Sequence, residues 1–172
     1  RHMVARQARE LSRCGFAVLL IDLSGCGDSS GDFTDASWTD WVADLVLAAQ
    51  WLSARHDAPL TWWGLRAGCL LCAQAAQSWP GPSNFLFWQP TPSGAAVLQQ
   101  FLRLRSASAL SGSEAPAAGR GALAALREQL NSGQAVDVAG YRLSPGLAEG
   151  LERARLLPPP MAGGPGHSSD VL

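Results

Sequence analysis

In residues 2–13 the apolar positions Met3, Val4, Ala8 and Leu11 recur at close to 3.6-residue spacing, which predicts a helix stopped by Gly15. Residues 16–23 then form a nearly continuous apolar run of strand length. Continuous rather than alternating apolarity predicts burial on both faces, as in a parallel sheet. A glycine-rich loop follows over residues 24–32. Ser37 opens a second helix, with Asp40 three residues on as an approximate capping box. Trp38, Trp41, Val42, Leu45, Ala48, Ala49 and Leu52 make its apolar stripe, and it ends near Arg55 and His56, before Pro59. Residues 60–63 predict a short strand, and Gly64 opens a tight turn. Residues 67–79 predict a helix of small residues, and residues 84–88 a third strand. Strand and helix alternating with short connections is the α/β signature, with right-handed crossovers.

After Gln89-Pro90 the alternation stops. Ser93 can cap a helix carrying Val97, Leu98, Phe101 and Leu102. Residues 111–121 read as a mobile loop. Leu123, Leu126 and Leu130 mark another helix, with Gly133 near its end. Val136-Asp137-Val138 and Tyr141-Arg142-Leu143 flank Ala139-Gly140 as a hairpin, and Ser144-Pro145 begins a short helix. The predicted organisation is a central α/β core over residues 1–90, a mainly helical lid-like insertion over 91–157, and a disordered Pro/Gly-rich tail over 158–172.

Composition narrows the function classes. The chain has 172 residues, 47% of them hydrophobic and 16% charged, enough for one domain with its own core. A net charge of −1 offers no basic field to a nucleic-acid backbone or an anionic membrane. No run of 18 apolar residues occurs, and the first residues have no signal-peptide stretch, so a cytoplasmic location is expected. All 13 basic residues are Arg, which excludes a Walker lysine. Cys69 and Cys72 form a CxxC without a second ligand pair. No metal is expected, and Cys14, Cys26, Cys69 and Cys72 read as thiols in a reducing compartment. No cofactor fingerprint is complete, because Gly25-x-Gly27 is followed by Ser30 where a dinucleotide loop needs a third glycine.

Two places carry candidate chemistry. The glycine loop, with Asp22, Gly25, Gly27, Asp28 and Ser29, follows a predicted buried strand, where α/β folds place their sites. The second is Gly64-Leu65-Arg66-Ala67-Gly68, between a strand and a helix. That context belongs to the nucleophile elbow G-x-S-x-G, whose nucleophile sits on a strained turn above the sheet. Here the central residue is Arg66, which stays protonated and cannot attack a carbonyl.

The stretch from Asp22 to Phe33 resembles the D-x-x-G-x-G-x-S loop of α/β-hydrolases of the serine aminopeptidase and lysophospholipase type. Trp63-Gly64-Leu65-Arg66-Ala67-Gly68, Trp88-Gln89-Pro90 and Gln99-Gln100-Phe101-Leu102-Arg103-Leu104-Arg105 extend the likeness. Together these stretches resemble the hydrolase 2 family of the exosortase A system, a bacterial family linked to exopolysaccharide and protein sorting, over roughly residues 2–157. The resemblance implies a partial α/β-hydrolase fold, with central parallel strands and flanking helices. It implies hydrolysis of a small ester, amide or acyl substrate, and an oxyanion donor at the Ala67 N–H.

The order Ser, then acid, then His of such enzymes is not completed here. His2 and His56 fall at helix ends and His167 lies in the tail, so the chain reads as the central portion of a larger hydrolase. Arg66 then has three readings: a site that lost its nucleophile, an anion binder at a helix N-terminus, or a structural partner of Asp22 or Asp28. Cys69 and Ser24 are the nearest alternative nucleophiles. Cys69 lies about 300° around the helix from Arg66 and is expected to face the sheet. Most tryptophans read as core, and Trp88, near a strand's carboxyl end, is a pocket candidate. Arg103 and Arg105 read as a solvated helix face. Two functions stay open, a hydrolase and a non-catalytic binding or accessory protein.

Overall fold

A computed structural model of the chain describes residues 2–109, 116–156 and 169–171, with side chains placed for 2–104 and 121–156. It is a mixed helix and strand structure built on a small parallel sheet. The first helix, α1, spans His2–Arg13. α2 (Trp38–Ser53) leads to β1 (Leu60–Leu65), α3 (Gly68–Gln77) and β2 (Ser83–Trp88). α4 (Gly94–Ala109) and α5 (Pro116–Asn131) follow. They precede a hairpin of β3 (Val136–Val138) and β4 (Tyr141–Leu143), then α6 (Pro145–Arg153). A last strand, β5 (Ser169–Val171), completes the described chain.

Local sequence sets most of these boundaries. The Ser37 hydroxyl accepts from the Asp40 N–H at 3.1 Å and donates to the Asp40 carboxylate at 2.6 Å, which starts α2 where the capping pair predicts. Ser144 does the same for α6, accepting from the Leu147 N–H at 3.0 Å with Pro145 at the first helical position. Ala139 and Gly140 take positive φ values of 51° and 84°, the backbone needed for a two-residue hairpin turn.

β1 and β2 pair in parallel from Leu60↔Ser83 to Leu65↔Trp88, and β5 pairs in parallel with β2 from Phe85↔Ser169 to Phe87↔Val171. Two apolar clusters hold the elements together. One joins Leu60, Trp62 and Phe87 of the sheet to Ala49 of α2 and to Cys69, Cys72, Ala73 and Ala76 of α3. The other joins Trp38, Leu70 and Leu71 to Leu98, Leu102, Leu126, Leu130, Val136, Val138, Leu143, Leu147 and Ala148. The region after Gln89 is thus packed on the faces of α2 and α3 that turn away from the strands. A Cβ on Gly150 would stand 2.2 Å from Trp38 Cβ, so α6 reaches α2 only because that side chain is missing. The two ends of this region meet: Ser93 bridges Arg155, the Gly94 N–H donates to the Ala154 carbonyl at 3.0 Å, and the Leu156 N–H donates to the Pro92 carbonyl at 3.1 Å.

Three expectations need correction. Residues 16–23 form no strand, and Phe16 and Leu20 are 60% and 49% exposed. The apolar run predicts a strand buried on both faces, yet it pairs with no described strand; Leu19, Leu20 and Ile21 instead line an open cleft together with Leu60, Thr61, Trp62 and Trp63. The loop expected over 111–121 is helical from Pro116 onward, where α5 begins at a proline suited to a first turn, and residues 111–115 lie outside the described residues. Of the tail expected to be disordered, residues 169–171 form β5. The open edge of β2 supplies main-chain partners that composition does not reveal. Residues 158–168 and 172, with His167, lie outside the described residues.

Candidate functional site

The turn between β1 and α3 is the most constrained part of the sheet's carboxyl end. Gly64 is buried, and a Cβ there would stand 2.7 Å from Cys69 Cα and 2.8 Å from Cys69 N. This glycine lets the first turn of α3 lie directly against the end of β1. Arg66 takes a left-handed backbone, φ 54°, and is exposed. Its N–H donates to the Trp88 carbonyl at 2.9 Å and its carbonyl accepts from the Cys69 N–H at 3.1 Å. A non-glycine residue in this region costs about 1–2 kcal/mol, so a neighbouring structure must hold it there.

The Arg66 guanidinium forms no hydrogen bond or ion pair with another described residue, which removes its expected pairing with Asp22 or Asp28. Behind it, α3 begins at Ala67 without a side-chain cap, and the Ala67 and Gly68 N–H groups donate to no described residue. A permanent cation and unused N–H groups at a helix N-terminus therefore share one turn. Leu65, on one flank, is partly exposed. On the other, Trp88 packs edge-on against Trp63, with ring centroids 4.9 Å apart at 75°, and both rings are half-buried.

Cys69 is fully buried and its Sγ lies 3.8 Å from the Trp88 carbonyl. Burial pushes its thiol up from 9.0 to about 11, against weaker hydrogen-bond contributions that lower it. Burial, aided by the neighbouring Cys69, pushes Cys72 up to about 12. Burial thus disfavours the thiolate form of both groups. Ser24 has its N–H on Asp44 Oδ2 at 2.8 Å and its carbonyl under the Trp41 indole N–H at 2.9 Å. Its hydroxyl meets no base among the described residues.

The glycine loop is a built structure. Gly25 (φ 73°) closes it through an N–H to the Ser30 carbonyl at 3.0 Å, and a Cβ there would stand 2.6 Å from the Asp32 carbonyl oxygen. Gly27 also has positive φ, 58°. Asp22 accepts from the Asp28 N–H at 3.1 Å, and its own carbonyl accepts from the Ser29 hydroxyl at 2.6 Å. Asp22, Asp28 and Ser29 therefore shape the loop. Asp44 and Trp41, which tie the loop to α2, escaped the sequence reading. The available signal was one carboxylate, Asp44, set between the apolar positions Val42 and Leu45 of a helix.

The clefts beside this loop are lined by Asp22, Ser24, Ser29, Ser30 and Asp44, and by Gly25, Asp32, Asp35 and Asp40, not by the elbow residues. Arg66 and Trp88 line neither of these two clefts. Among the described residues no three His, Cys, Asp or Glu side chains are placed to hold a metal ion. No described helix is long and apolar enough to cross a membrane. No family model, curated protein or solved structure matches the chain.

Proposed function

We propose that the chain is an α/β-hydrolase-type protein, akin to the hydrolase 2 family of the exosortase A system, in which the nucleophile elbow serves as an anion-binding turn. The observation that carries this reading is Arg66 itself. It occupies the strained left-handed position of a strand-to-helix turn, exposed and unpaired, in front of the uncapped N-terminus of α3. In an acyl-transfer enzyme that position would present a nucleophile to a carbonyl and the following N–H would receive the oxyanion. With guanidinium there, the same turn offers two parallel donors and N–H groups to a resting carboxylate or phosphate. The ligand class is a small anion with an apolar part that can lie against Trp88 and Leu65.

The second reading is hydrolysis of a small ester, amide or acyl group. It is favoured by the same turn geometry, with the Ala67 N–H as oxyanion donor, and it requires a nucleophile other than Arg66.

Calorimetric titration of the chain with hexanoate and with inorganic phosphate, alongside an ester panel, tests both readings. Anion binding is expected for the wild type, with loss in Arg66→Ala, partial retention in Arg66→Lys, and weakening as salt rises. Ester turnover by the wild type that vanishes in Arg66→Ala would overturn the binding reading. Binding unchanged in Arg66→Ala would remove Arg66 from any role in it.

A further inference from the structure

The helices after β2 enclose a cavity of their own. α4, α5 and α6 meet around a space of about 370 Å³, lined by Leu98 of α4, Arg127 and Leu130 of α5, and Ala148, Glu149 and Glu152 of α6. No residue of the elbow turn or of the glycine loop lines it. Its size falls in the range of small-molecule sites, about 300–1,000 Å³.

The lining has two parts. Leu98, Leu130 and Ala148 are buried and form an apolar floor. Arg127 stands three positions before Leu130, and Glu152 stands four after Ala148 and three after Glu149. At these helical spacings the charged groups share the faces that carry the floor and border it. The protein itself uses these charges lightly. Arg127 Nη1 meets Glu152 at 3.3 Å with both side chains half-exposed, and the Arg127 Nε–H is buried with no acceptor. Glu149 meets Arg153 at 2.5 Å on the open surface, their side chains 61% and 78% exposed. Exposed ion pairs contribute little and exchange readily for a better partner. A sealed donor without an acceptor is costly, and in a native fold it points to a group that completes it.

We propose that this cavity binds a small zwitterion with an apolar side chain, of which a free aliphatic amino acid is the simplest case. The side chain lies on Leu98, Leu130 and Ala148. The ligand carboxylate takes the planar fork of Arg127, whose guanidinium turns toward it and so gives the Nε–H an acceptor. The ammonium lies against Glu149 and Glu152. A plain anion meets two carboxylates here and a plain cation meets the guanidinium, so the site selects a molecule that carries both charges.

The test follows backbone amide NMR shifts of the 172-residue chain during titration with L-leucine. Shifts are read residue by residue, so an anion held at the Arg66 turn reports separately at residues 64–68. L-Leucine is expected to give saturable shifts at residues 127–133 and 145–152. Three analogues each remove one feature: isopentylamine lacks the carboxylate, 4-methylpentanoate the ammonium, and glycine the apolar side chain. Each is expected to bind at these residues about tenfold more weakly or worse. Arg127→Gln should bring leucine down to the affinity of isopentylamine. Glu149→Gln, at an exposed position, should weaken leucine by about threefold or more without weakening 4-methylpentanoate. No saturable shift at these residues would overturn the proposal, as would equal affinity for leucine and any one analogue. Leucine binding unchanged in Glu149→Gln would overturn it too. If Arg127→Gln does not fold, the analogue series and Glu149→Gln decide.

Discussion

The Arg66 N–H donates to the Trp88 carbonyl at 2.9 Å, one residue beyond the Leu65↔Trp88 pair that ends the parallel ladder. The sheet therefore grips the backbone of Arg66 before the chain turns into α3, and the left-handed conformation is imposed from both sides. The ladder holds its N–H and the first turn of α3 holds its carbonyl.

That imposed conformation makes stability and binding respond oppositely at Arg66. Asparagine and glycine tolerate positive φ, whereas β-branched residues do not. Arg66→Asn and Arg66→Gly are expected to raise unfolding free energy by about 0.5–1 kcal/mol in urea titrations and to abolish anion binding. Arg66→Val should lower stability by about 1 kcal/mol or more. Equal stability of the Asn and Val variants would show that the turn carries no strain.

Gly64 sets the distance between β1 and α3. Its missing side chain leaves room for Cys69 backbone atoms that would stand 2.7–2.8 Å from a Cβ, and backbone cannot rotate away as a side chain would. Gly64→Ala is expected to cost about 1–3 kcal/mol by thermal or urea unfolding. Gly68→Ala, with nothing within 4 Å of the new methyl, is the matched control and should be neutral or slightly stabilising.

Ser144 joins the hairpin region to the loop before α2. It is only 7% exposed, donates to the Ala36 carbonyl at 2.6 Å, and accepts from the Leu147 N–H at 3.0 Å. Ser144→Ala removes a helix cap and leaves a buried carbonyl unpaired, an expected loss of about 1–3 kcal/mol. Ser132→Ala removes an exposed hydroxyl that donates to the Gln129 carbonyl and should stay within about 0.5 kcal/mol of wild type.

The buried thiols give a pH signature. Cys69 and Cys72 titrate near 9.0 when unfolded, but are pushed up to about 11 and about 12 in the fold. The folded state therefore binds more protons than the unfolded state above pH 9, and stability falls with pH there. Their contribution is fully present below pH 9 and is lost as pH rises through 11 and 12. Replacing both by alanine should flatten this alkaline limb in urea titrations at pH 8–11. At pH 8 a thiol reagent should modify exposed Cys14 first and half-buried Cys26 next, reaching Cys69 and Cys72 only on unfolding.

What the sequence made legible was local. Ser37 with Asp40, Ala139-Gly140, Ser144-Pro145 and the Gly64–Gly68 spacing each prescribe backbone geometry within a few residues, and each structure forms there. What escaped was non-local. The apolarity of residues 16–23 signals a strand, but pairing needs a neighbour that no local pattern supplies. β5 escaped for the converse reason: three residues in a Gly/Pro-rich tail gain order from the edge of β2. At the candidate site, glycine spacing located the turn and the identity of Arg66. That Asp44 and Trp41 of α2 tie down the glycine loop at Ser24 is a long-range contact that only the assembled structure shows.

The bridge between Ser93 and Arg155 also orders the assembly of the sheet. In the unfolded chain, bringing Ser169 to Phe85 closes a loop of roughly eighty residues, but once the bridge has formed the remaining path is roughly twenty, a saving of about 1.2 kcal/mol in closure entropy. The helices after β2 thus act as a drawstring. Their folding carries the far end of the chain back toward the strand it joins, so the packing of α4 against α6 lowers the entropic cost of docking β5.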